Sequence, residues 1–179
     1  MYRLSEGLAP LRGPSLSPFG GVLRPARTVS VIGGHSATPQ QERAARELGG
    51  LLASRGFTVV CGGMGGVMAA VCRGAVERGG FTVGLLPVED PSLANPWVRL
   101  PIPTGLGTAR NRMVALSGQA VVAVGGRWGT LSEIAFALDA GRPVCAIGGW
   151  SSIPGVTAVD GPEEALEFVL NSRDWSEDA

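Results

Sequence analysis

Lysine is absent from this chain of 179 residues, so its 15 basic side chains are all arginine. Without lysine there is no Schiff base to pyridoxal phosphate and no catalytic lysine amine, and the Walker A loop is excluded as well. The single histidine, His35, argues against a zinc site, and we expect no bound metal. No apolar run reaches the roughly 18 residues of a membrane-spanning helix. The function has to come from arginine, carboxylates and the backbone.

Charge and cysteine are also scarce. Acidic and basic residues number 15 each and together make up 17% of the chain, against about 25% in an average protein. Zero net charge disfavours broad electrostatic binding to nucleic acid or to a membrane, so neither partner is expected. The low charge fits a homo-oligomer that covers part of its surface. The three cysteines, Cys61, Cys72 and Cys145, form no C-x-x-C motif and predict free thiols in a cytoplasmic protein.

Glycine, by contrast, is abundant, with 28 residues or about 16% of the chain against roughly 7% in an average protein. Residues 1–27 combine proline, glycine and serine without periodicity and predict an irregular N-terminal arm. A regular alternation begins at Thr28 and continues to about residue 171, which predicts one domain. Residues 172–179 are expected to form a loose C-terminal tail.

Between residues 28 and 171, apolar runs rich in valine and isoleucine alternate with segments of helical periodicity. The runs predict strands at 29–32, 57–61, 81–86, 120–124, 144–147 and 156–159. Helices are predicted at 39–55, 67–78, 109–117, 130–140 and 162–170, and the proline-rich stretch 87–107 predicts a long loop. This pattern is typical of an α/β domain with a Rossmann-like, doubly wound, mainly parallel sheet and helices on both faces.

Ligands of such sheets bind beyond the carboxyl ends of the strands, where this sequence places three glycine-rich loops. These loops are Gly33-Gly34, residues 62–66 and residues 125–129. Glycine lets the backbone approach a ligand, and the helix that follows offers free N–H groups, so the loops predict a phosphate or other anion site. The alternative is that each glycine only turns a strand into a helix. The first loop lacks the G-x-G-x-x-G fingerprint, which disfavours a simple NAD enzyme.

Two arginines, Arg110 and Arg112, stand near the start of the helix predicted at 109–117. The helix dipole disfavours cations there, so a nearby anion would explain them. A solvated helix start with ordinary salt bridges is the alternative. Arg110 is the stronger candidate, because Arg112 lies two residues further and points elsewhere on the helix.

The stretch 125–133, Gly-Gly-Arg-Trp-Gly-Thr-Leu-Ser-Glu, admits two interpretations. Thr130 and Glu133 have the spacing of a capping box at a helix start, which would explain both residues structurally. In the functional interpretation, Gly126, Gly129 and Thr130 hold a phosphate while Glu133 faces the ligand. The two roles compete for the Glu133 carboxylate.

Three segments together, residues 61–68, Ala109-Arg110-Asn111 and residues 125–133, resemble the Lonely-Guy-like superfamily. That superfamily includes cytokinin-activating phosphoribohydrolases and molybdenum cofactor carrier proteins, and the resemblance covers about residues 28–170. It implies a homodimer or larger homo-oligomer. Members formerly carried the label lysine decarboxylase, which fails here because the chain has no lysine to hold pyridoxal phosphate.

In the phosphoribohydrolase branch, an arginine and the glutamate of a Pro-Gly-Gly-x-Gly-Thr-x-x-Glu motif are catalytic. The resemblance carries these roles to Arg110 and Glu133, which are 23 residues apart, as in that branch. Arg110 would orient the substrate, and Glu133 would assist cleavage of an N-glycosidic bond. This sequence departs from that branch at Gly125 for the motif's proline, at Arg127 for its second glycine, and at Ala109-Arg110-Asn111 for a Glu-Arg-Lys-like context. The Ala-Arg-Asn and Gly-Gly-x-x-Gly-Thr-Leu-Ser-Glu sequences are more similar to the molybdenum cofactor carrier branch.

Two functions follow from the resemblance. One is a carrier-like module for a phosphate-bearing ligand, molybdenum cofactor or a nucleotide. The other is a nucleoside 5′-monophosphate phosphoribohydrolase that requires no cofactor, and a nucleotide-sensing domain without catalysis is a third. Trp97 and Trp128 are candidates for stacking on a heterocycle, although Trp97 has the alternative of packing the long loop down. The residues expected at the ligand are Gly33, Gly34, Gly63, Gly65, Gly66, Arg110, Asn111, Gly125, Gly126, Arg127, Gly129 and Thr130.

Overall fold

Seven parallel strands form a single sheet in the computed structural model, which describes residues 27–175. In chain order the strands are β1 Thr28–Gly33, β2 Thr58–Cys61, β3 Thr82–Leu86, β4 Leu100–Pro103, β5 Ala120–Val124, β6 Val144–Ile147 and β7 Val156–Val159. The helices are α1 Pro39–Ser54, α2 Val67–Glu77, α3 Asn111–Ser117, α4 Trp128–Asp139 and α5 Pro162–Asn171. The predicted doubly wound α/β fold is confirmed, and every neighbouring pair of strands is parallel.

The central strands are apolar on both sides because helices cover both faces of the sheet. On β1, Val31 belongs to the core cluster shared with α1, α2 and α5, whereas the next residue, Ile32, belongs to the cluster shared with α3 and α4. All five residues of β5 are buried. None of the helices within residues 27–175 is both long and apolar enough to cross a membrane.

The stretch predicted as one long loop, residues 87–107, contains a strand that the sequence did not reveal. β4 is Leu-Pro-Ile-Pro at the edge of the sheet, paired to β3. Proline lacks the N–H that a central strand must donate, so it is tolerated only at such an edge. Two short 3-10 turns, Pro91–Leu93 and Gly107–Arg110, flank β4, and the second replaces the start of the helix predicted from residue 109.

Helices α1 and α2 pack with their backbones in close approach. A Cβ atom at Gly49 would collide with the backbone carbonyl oxygen of Val71, and one at Gly74 would collide with that of Arg46. Two of the chain's many glycines are therefore required by helix packing rather than by a ligand.

The segment expected to be a loose tail begins with packed residues. Trp175 is buried, its ring meets Phe57 edge to face at a centroid distance of 4.9 Å, and its indole N–H donates to the Val169 carbonyl at 2.9 Å. Arg27 donates to the carbonyl of Trp175 at 2.8 Å, which ties the two ends of the domain together. The rest of the predicted tail, 176–179, and of the predicted N-terminal arm, 1–26, lie outside the described residues.

The order of strands, β4-β3-β2-β1-β5-β6-β7, places a topological switch between β1 and β5. The connection after β1 leads to α1 on one face of the sheet, and the connection after β5 leads to α4 on the other face. The two connections diverge, so a crevice opens at the carboxyl ends of these strands, where ligands of doubly wound sheets bind.

Candidate functional site

A cleft of about 360 Å³ occupies this switch point. We call it the anion cleft, and it is lined by the carboxyl end of β1 with the loop that follows, by the start of α2, and by the starts of α3 and α4. Its residues are Ile32, Gly33, Gly34, His35, Ser36, Gly62, Met68, Thr108, Arg110, Asn111, Arg127, Gly129, Thr130 and Glu133. Eight of the predicted site residues are therefore together in one place: Gly33, Gly34, Arg110, Asn111, Arg127, Gly129, Thr130 and Glu133.

The start of α4 carries no side-chain cap, and it opens onto the cleft. The helix begins at Trp128, and Arg127 at the N-cap position makes no capping hydrogen bond. The N–H of Leu131 donates to the Arg127 carbonyl at 2.9 Å, so the N–H groups of residues 128–130 are the ones without an acceptor inside the helix. Such a helix end binds anions through its N–H groups and its dipole.

Of the two interpretations of Thr130 and Glu133, the capping box is wrong. Both residues lie inside α4, beyond its N-cap, and both are buried. The structure has its capping box at α1 instead, where Thr38 accepts from the Gln41 N–H and the Gln41 side chain accepts from the Thr38 N–H. The sequence Thr38-Pro39-Gln40-Gln41, a Thr-x-x-Gln pattern with proline at the first helical position, was the signal that sequence reasoning missed. The Glu133 carboxylate is consequently not used for capping.

The turn from β5 into α4 needs glycine for its backbone shape. Gly125 and Gly126 have φ angles of 52° and 101°, in the left-handed region where side chains are strained. A Cβ atom at Gly126 would also collide with the side chain of Thr130. These two predicted residues therefore shape the loop but do not line the cleft.

Arg110 is the buried cation of the cleft. The residue is only 8% exposed, and its Nε and Nη1 atoms have no hydrogen-bond partner among the described residues. Its guanidinium lies against Gly62, where a Cβ atom would collide with both terminal nitrogens. Burial lowers the pKa of Arg110, while Glu133 opposes this shift by attraction. An anion in the cleft would satisfy these donors, since unpaired buried polar groups are costly.

Arg112 differs from Arg110 in the way that the spacing predicted. It is exposed and does not line the cleft. Arg110 stands at the junction of the 3-10 turn and α3, which turns its side chain inward, whereas the next basic residue faces solvent.

Glu133 supplies a carboxyl group with unusual titration. It is 6% exposed, and burial raises its pKa to about 7, with attraction to Arg110 as the opposing cause. Within residues 27–175 the two side chains form no salt bridge, the ion pairs there being Arg46 and Arg73 with Glu77. The cleft thus holds a buried cation and a carboxyl group that exchanges its proton near neutral pH, a combination typical of functional sites.

Asn111 connects the two helices that carry these groups. Its side-chain amide donates to the Ser132 hydroxyl at 3.0 Å and to the Gly129 carbonyl at 3.4 Å. Asn111 lines the cleft, as expected, while its amide nitrogen is bonded to α4. This contact fixes Arg110, the preceding residue, relative to the helix that bears Glu133.

The second glycine-rich loop contributes differently from expectation. Gly63, Gly65 and Gly66 do not line the cleft. Gly66 has a φ of 61°, and a Cβ atom there would meet the carbonyls of Gly34 and His35, so this loop packs against the first one. Six other lining residues were not among those expected at the ligand, because local sequence does not reveal which residue of a loop or helix start faces inward: Ile32, His35, Ser36, Gly62, Met68 and Thr108.

The two tryptophans considered for ring stacking differ in their surroundings. Trp97 packs the long loop down: its carbonyl accepts from the Thr82 hydroxyl at 2.7 Å, and the Arg73 guanidinium lies 5.4 Å from its ring centroid. Trp128 is 79% exposed beside the cleft.

The three cysteines are free and buried, as predicted for thiols. The sulfur atoms of Cys61 and Cys72 lie 3.4 Å apart. Burial raises the pKa of the Cys145 thiol to about 12. In the part of the chain that the structure describes, no group of three or more His, Cys, Asp or Glu side chains is arranged to hold a metal ion.

Comparison with known proteins places this chain in a family. The model of the SLOG cluster4 family matches residues 26–172. The chain belongs to that family. An uncharacterized protein of Archaeoglobus fulgidus is 37% identical over 144 residues, which cover 80% of this chain and 95% of that protein. The resemblance to the Lonely-Guy-like and molybdenum cofactor carrier superfamily is confirmed.

Solved structures of similar proteins agree with the family. The molybdenum cofactor binding protein of Rippkaea orientalis has a TM-score of 0.74 and 33% identity, covering 83% of this chain and 97% of that one. The molybdenum cofactor carrier protein of Chlamydomonas reinhardtii has a TM-score of 0.72 and 34% identity, covering 82% and 96%. DNA processing protein A of Helicobacter pylori, a binder of single-stranded DNA, is 18% identical and shares the fold alone.

Proposed function

We propose that the chain binds a phosphate-bearing small molecule in the anion cleft and carries it without turnover. The observation that carries this proposal is Arg110, a buried guanidinium with two unpartnered nitrogens beside an uncapped helix start. Guanidinium groups bind phosphate through paired hydrogen bonds, and a helix N-terminus adds N–H donors and a favourable dipole. The molybdenum cofactor proteins among the similar structures support a ligand of this kind.

The position of Arg110 is already fixed in the unliganded protein. Gly62 leaves room for its guanidinium, and the side chain of the next residue, Asn111, hydrogen-bonds to α4. The exposed Arg127 adds a second positive charge at the rim. Because the chain has no net charge, attraction of the ligand depends on these local groups rather than on a field of the whole protein.

The test is calorimetric titration with ribose 5-phosphate and with inorganic phosphate. Arg110→Ala is expected to abolish binding of both, since it removes the buried cation. Arg112→Ala is the matched control, because that arginine is exposed and outside the cleft, and it should bind as the wild type does. Equal binding by the wild type and Arg110→Ala would overturn the proposal.

The carried ligand can be identified directly. Mass spectrometry of small molecules released from the purified protein, with molybdenum measured in the same sample, distinguishes a pterin cofactor from a nucleotide. Wild-type protein is expected to release a phosphate-bearing compound that Arg110→Ala lacks. A ligand retained by both proteins would place the binding site elsewhere.

Glu133 favours a second candidate function, a nucleoside 5′-monophosphate phosphoribohydrolase. Water would replace the base on the ribose, giving a free base and ribose 5-phosphate. A buried carboxylate at the ribose can stabilise the positive charge that develops as the N-glycosidic bond breaks, while Arg110 holds the phosphate. The carboxyl pKa of about 7 means that this carboxylate becomes available near neutral pH.

The two functions are separated by chromatography of AMP and N6-substituted AMP after incubation with the protein. If the wild type releases free base and Glu133→Gln does not, the protein is a hydrolase, and the proposal that it only carries the ligand is refuted. If the carboxylate form is needed, the rate rises with pH through about 7. No release, combined with ligand binding that depends on Arg110, supports the carrier.

A further inference from the structure

Trp128 is an exposed aromatic residue with no role in the core. It is the first residue of α4 and 79% of its surface is exposed. Its own N–H group is one of those without an acceptor inside the helix, and the next residue, Gly129, lines the anion cleft. Trp128 itself does not line the anion cleft, but both of its chain neighbours, Arg127 and Gly129, do. Tryptophan has a large aromatic surface that can stack on a ligand ring.

A second indole is held next to this one. Trp150 has a φ of 64°, an uncommon conformation for a bulky residue that is maintained only where the surroundings impose it. Its indole N–H donates to the carbonyl of Gly125 at 2.6 Å, and its side chain packs against the core cluster under α3 and α4. The β5–α4 turn that shapes the anion cleft therefore also fixes Trp150.

The two indoles share a cavity of about 340 Å³ whose lining residues are Arg127, Trp128 and Trp150. We call it the tryptophan slot. Within residues 27–175 the aromatic rings in contact are those of Phe57 and Trp175, so the two indoles of the slot do not stack on each other. Arg127 lines both the slot and the anion cleft, so one residue borders the two cavities.

We propose that the tryptophan slot binds the planar nitrogen heterocycle of the ligand whose phosphate occupies the anion cleft. The slot is lined by two indoles and a guanidinium, and no acidic side chain lines it. Aromatic rings and guanidinium groups are the side chains on which planar heterocycles stack. The ligand class is thereby narrowed to a phosphate ester joined to such a ring. This inference rests on the proposed phosphate site, and the experiment separates failure of one from failure of the other.

The experiment compares three probes by calorimetric titration: ribose 5-phosphate, AMP and neopterin monophosphate. The first has a phosphate and no ring, the second carries a purine and the third a pterin. At least one ring-bearing probe is expected to bind about tenfold more tightly than ribose 5-phosphate, the effect of one stacked base. Titrations are repeated in Glu133→Gln to exclude heat from turnover.

Trp128→Ala is expected to remove that tenfold advantage while the affinity for ribose 5-phosphate stays unchanged. Trp128→Phe should keep most of it, because an aromatic face remains. Phe136→Ala is the matched control, since Phe136 is a partly exposed aromatic residue of the same helix outside both cavities. The ring that binds more tightly tells whether a purine or a pterin occupies the slot.

Each contrary result has one meaning. If all three probes bind equally and Trp128→Ala changes nothing, the slot is not a ring site, although the phosphate site stands. If none of the probes binds the wild type, the proposed phosphate site fails and this inference fails with it. If Trp128→Ala changes the sedimentation coefficient but no affinity, the indole belongs to a contact between copies of the chain, and the inference is overturned.

Discussion

Replacing Arg110 by methionine should make the unliganded protein more stable and at the same time unable to bind phosphate. Methionine keeps the apolar stem that fills the space near Gly62 and removes the charge with its unpaired donors. Each unpaired buried donor costs about 1–3 kcal/mol, and more when charged. After relaxation of the site, we expect a gain of about 2 kcal/mol in the free energy of unfolding.

The measurement is urea denaturation at pH 6. The pKa of Glu133 is raised to about 7, so its carboxyl group is mostly protonated at this pH, and Arg110→Met leaves no uncompensated carboxylate. A gain of about 2 kcal/mol corresponds to a rise of about 4–8 °C in Tm for a domain of this size. Arg112→Met, at an exposed position, should stay within about 0.5 kcal/mol of the wild type.

Adding ribose 5-phosphate should cancel or reverse the difference in stability between Arg110→Met and the wild type. Ribose 5-phosphate at about 100 times its Kd stabilises a protein that binds it by about 2.7 kcal/mol, and Arg110→Met gains nothing. The wild type then equals or exceeds the variant. The reasoning is refuted if Arg110→Met is less stable than the wild type by more than about 1 kcal/mol at pH 6 while Arg112→Met is unchanged, because Arg110 would then have partners in the free protein.

Three further predictions concern titration, helix packing and thiol reactivity. The pKa of Glu133 is about 7 in the folded protein and near 4.5 when unfolded, so the folded state binds more protons, and the free energy of unfolding should fall by about 3 kcal/mol between pH 4.5 and 7. Urea denaturation across this range should show the decrease in the wild type, and an equal decrease in Glu133→Gln would contradict it. Gly49→Ala should destabilise by about 1–3 kcal/mol, because the new methyl group meets the Val71 carbonyl. The adjacent Gly50→Ala makes only ordinary contacts and should be neutral or stabilising by up to about 1 kcal/mol, so similar denaturation curves for the two variants would argue against the close approach of α1 and α2. The three buried thiols should react with Ellman's reagent only after unfolding, Cys145 being further protected by a pKa raised to about 12, and fast labelling of the folded protein would show that these side chains are accessible.

Local patterns in the sequence predict most of the elements. Strands rich in valine and isoleucine, such as β5, are predicted with their observed bounds, because an apolar run between glycines has few other solutions. The strand β4 was not predicted, because its prolines are typical of a loop. It is a strand only because it pairs with β3 at the edge of the sheet. The start of α4 was misplaced because Thr130 and Glu133 have capping-box spacing, yet Trp128 already begins the helix.

The sequence by itself determined the doubly wound fold, the absence of any lysine chemistry and the choice of Arg110 over Arg112, because hydrophobic periodicity and residue inventory are local properties of the chain. Only the tertiary structure decided the burial, the protonation and the orientation of the residues at the site. That Arg110 is buried without partners, that the pKa of Glu133 is raised to about 7, and that Gly62 rather than Gly63 faces the cleft all depend on neighbours from distant elements. Burial and electrostatic attraction act between residues that the chain brings together only when β1 and β5 pair in the sheet.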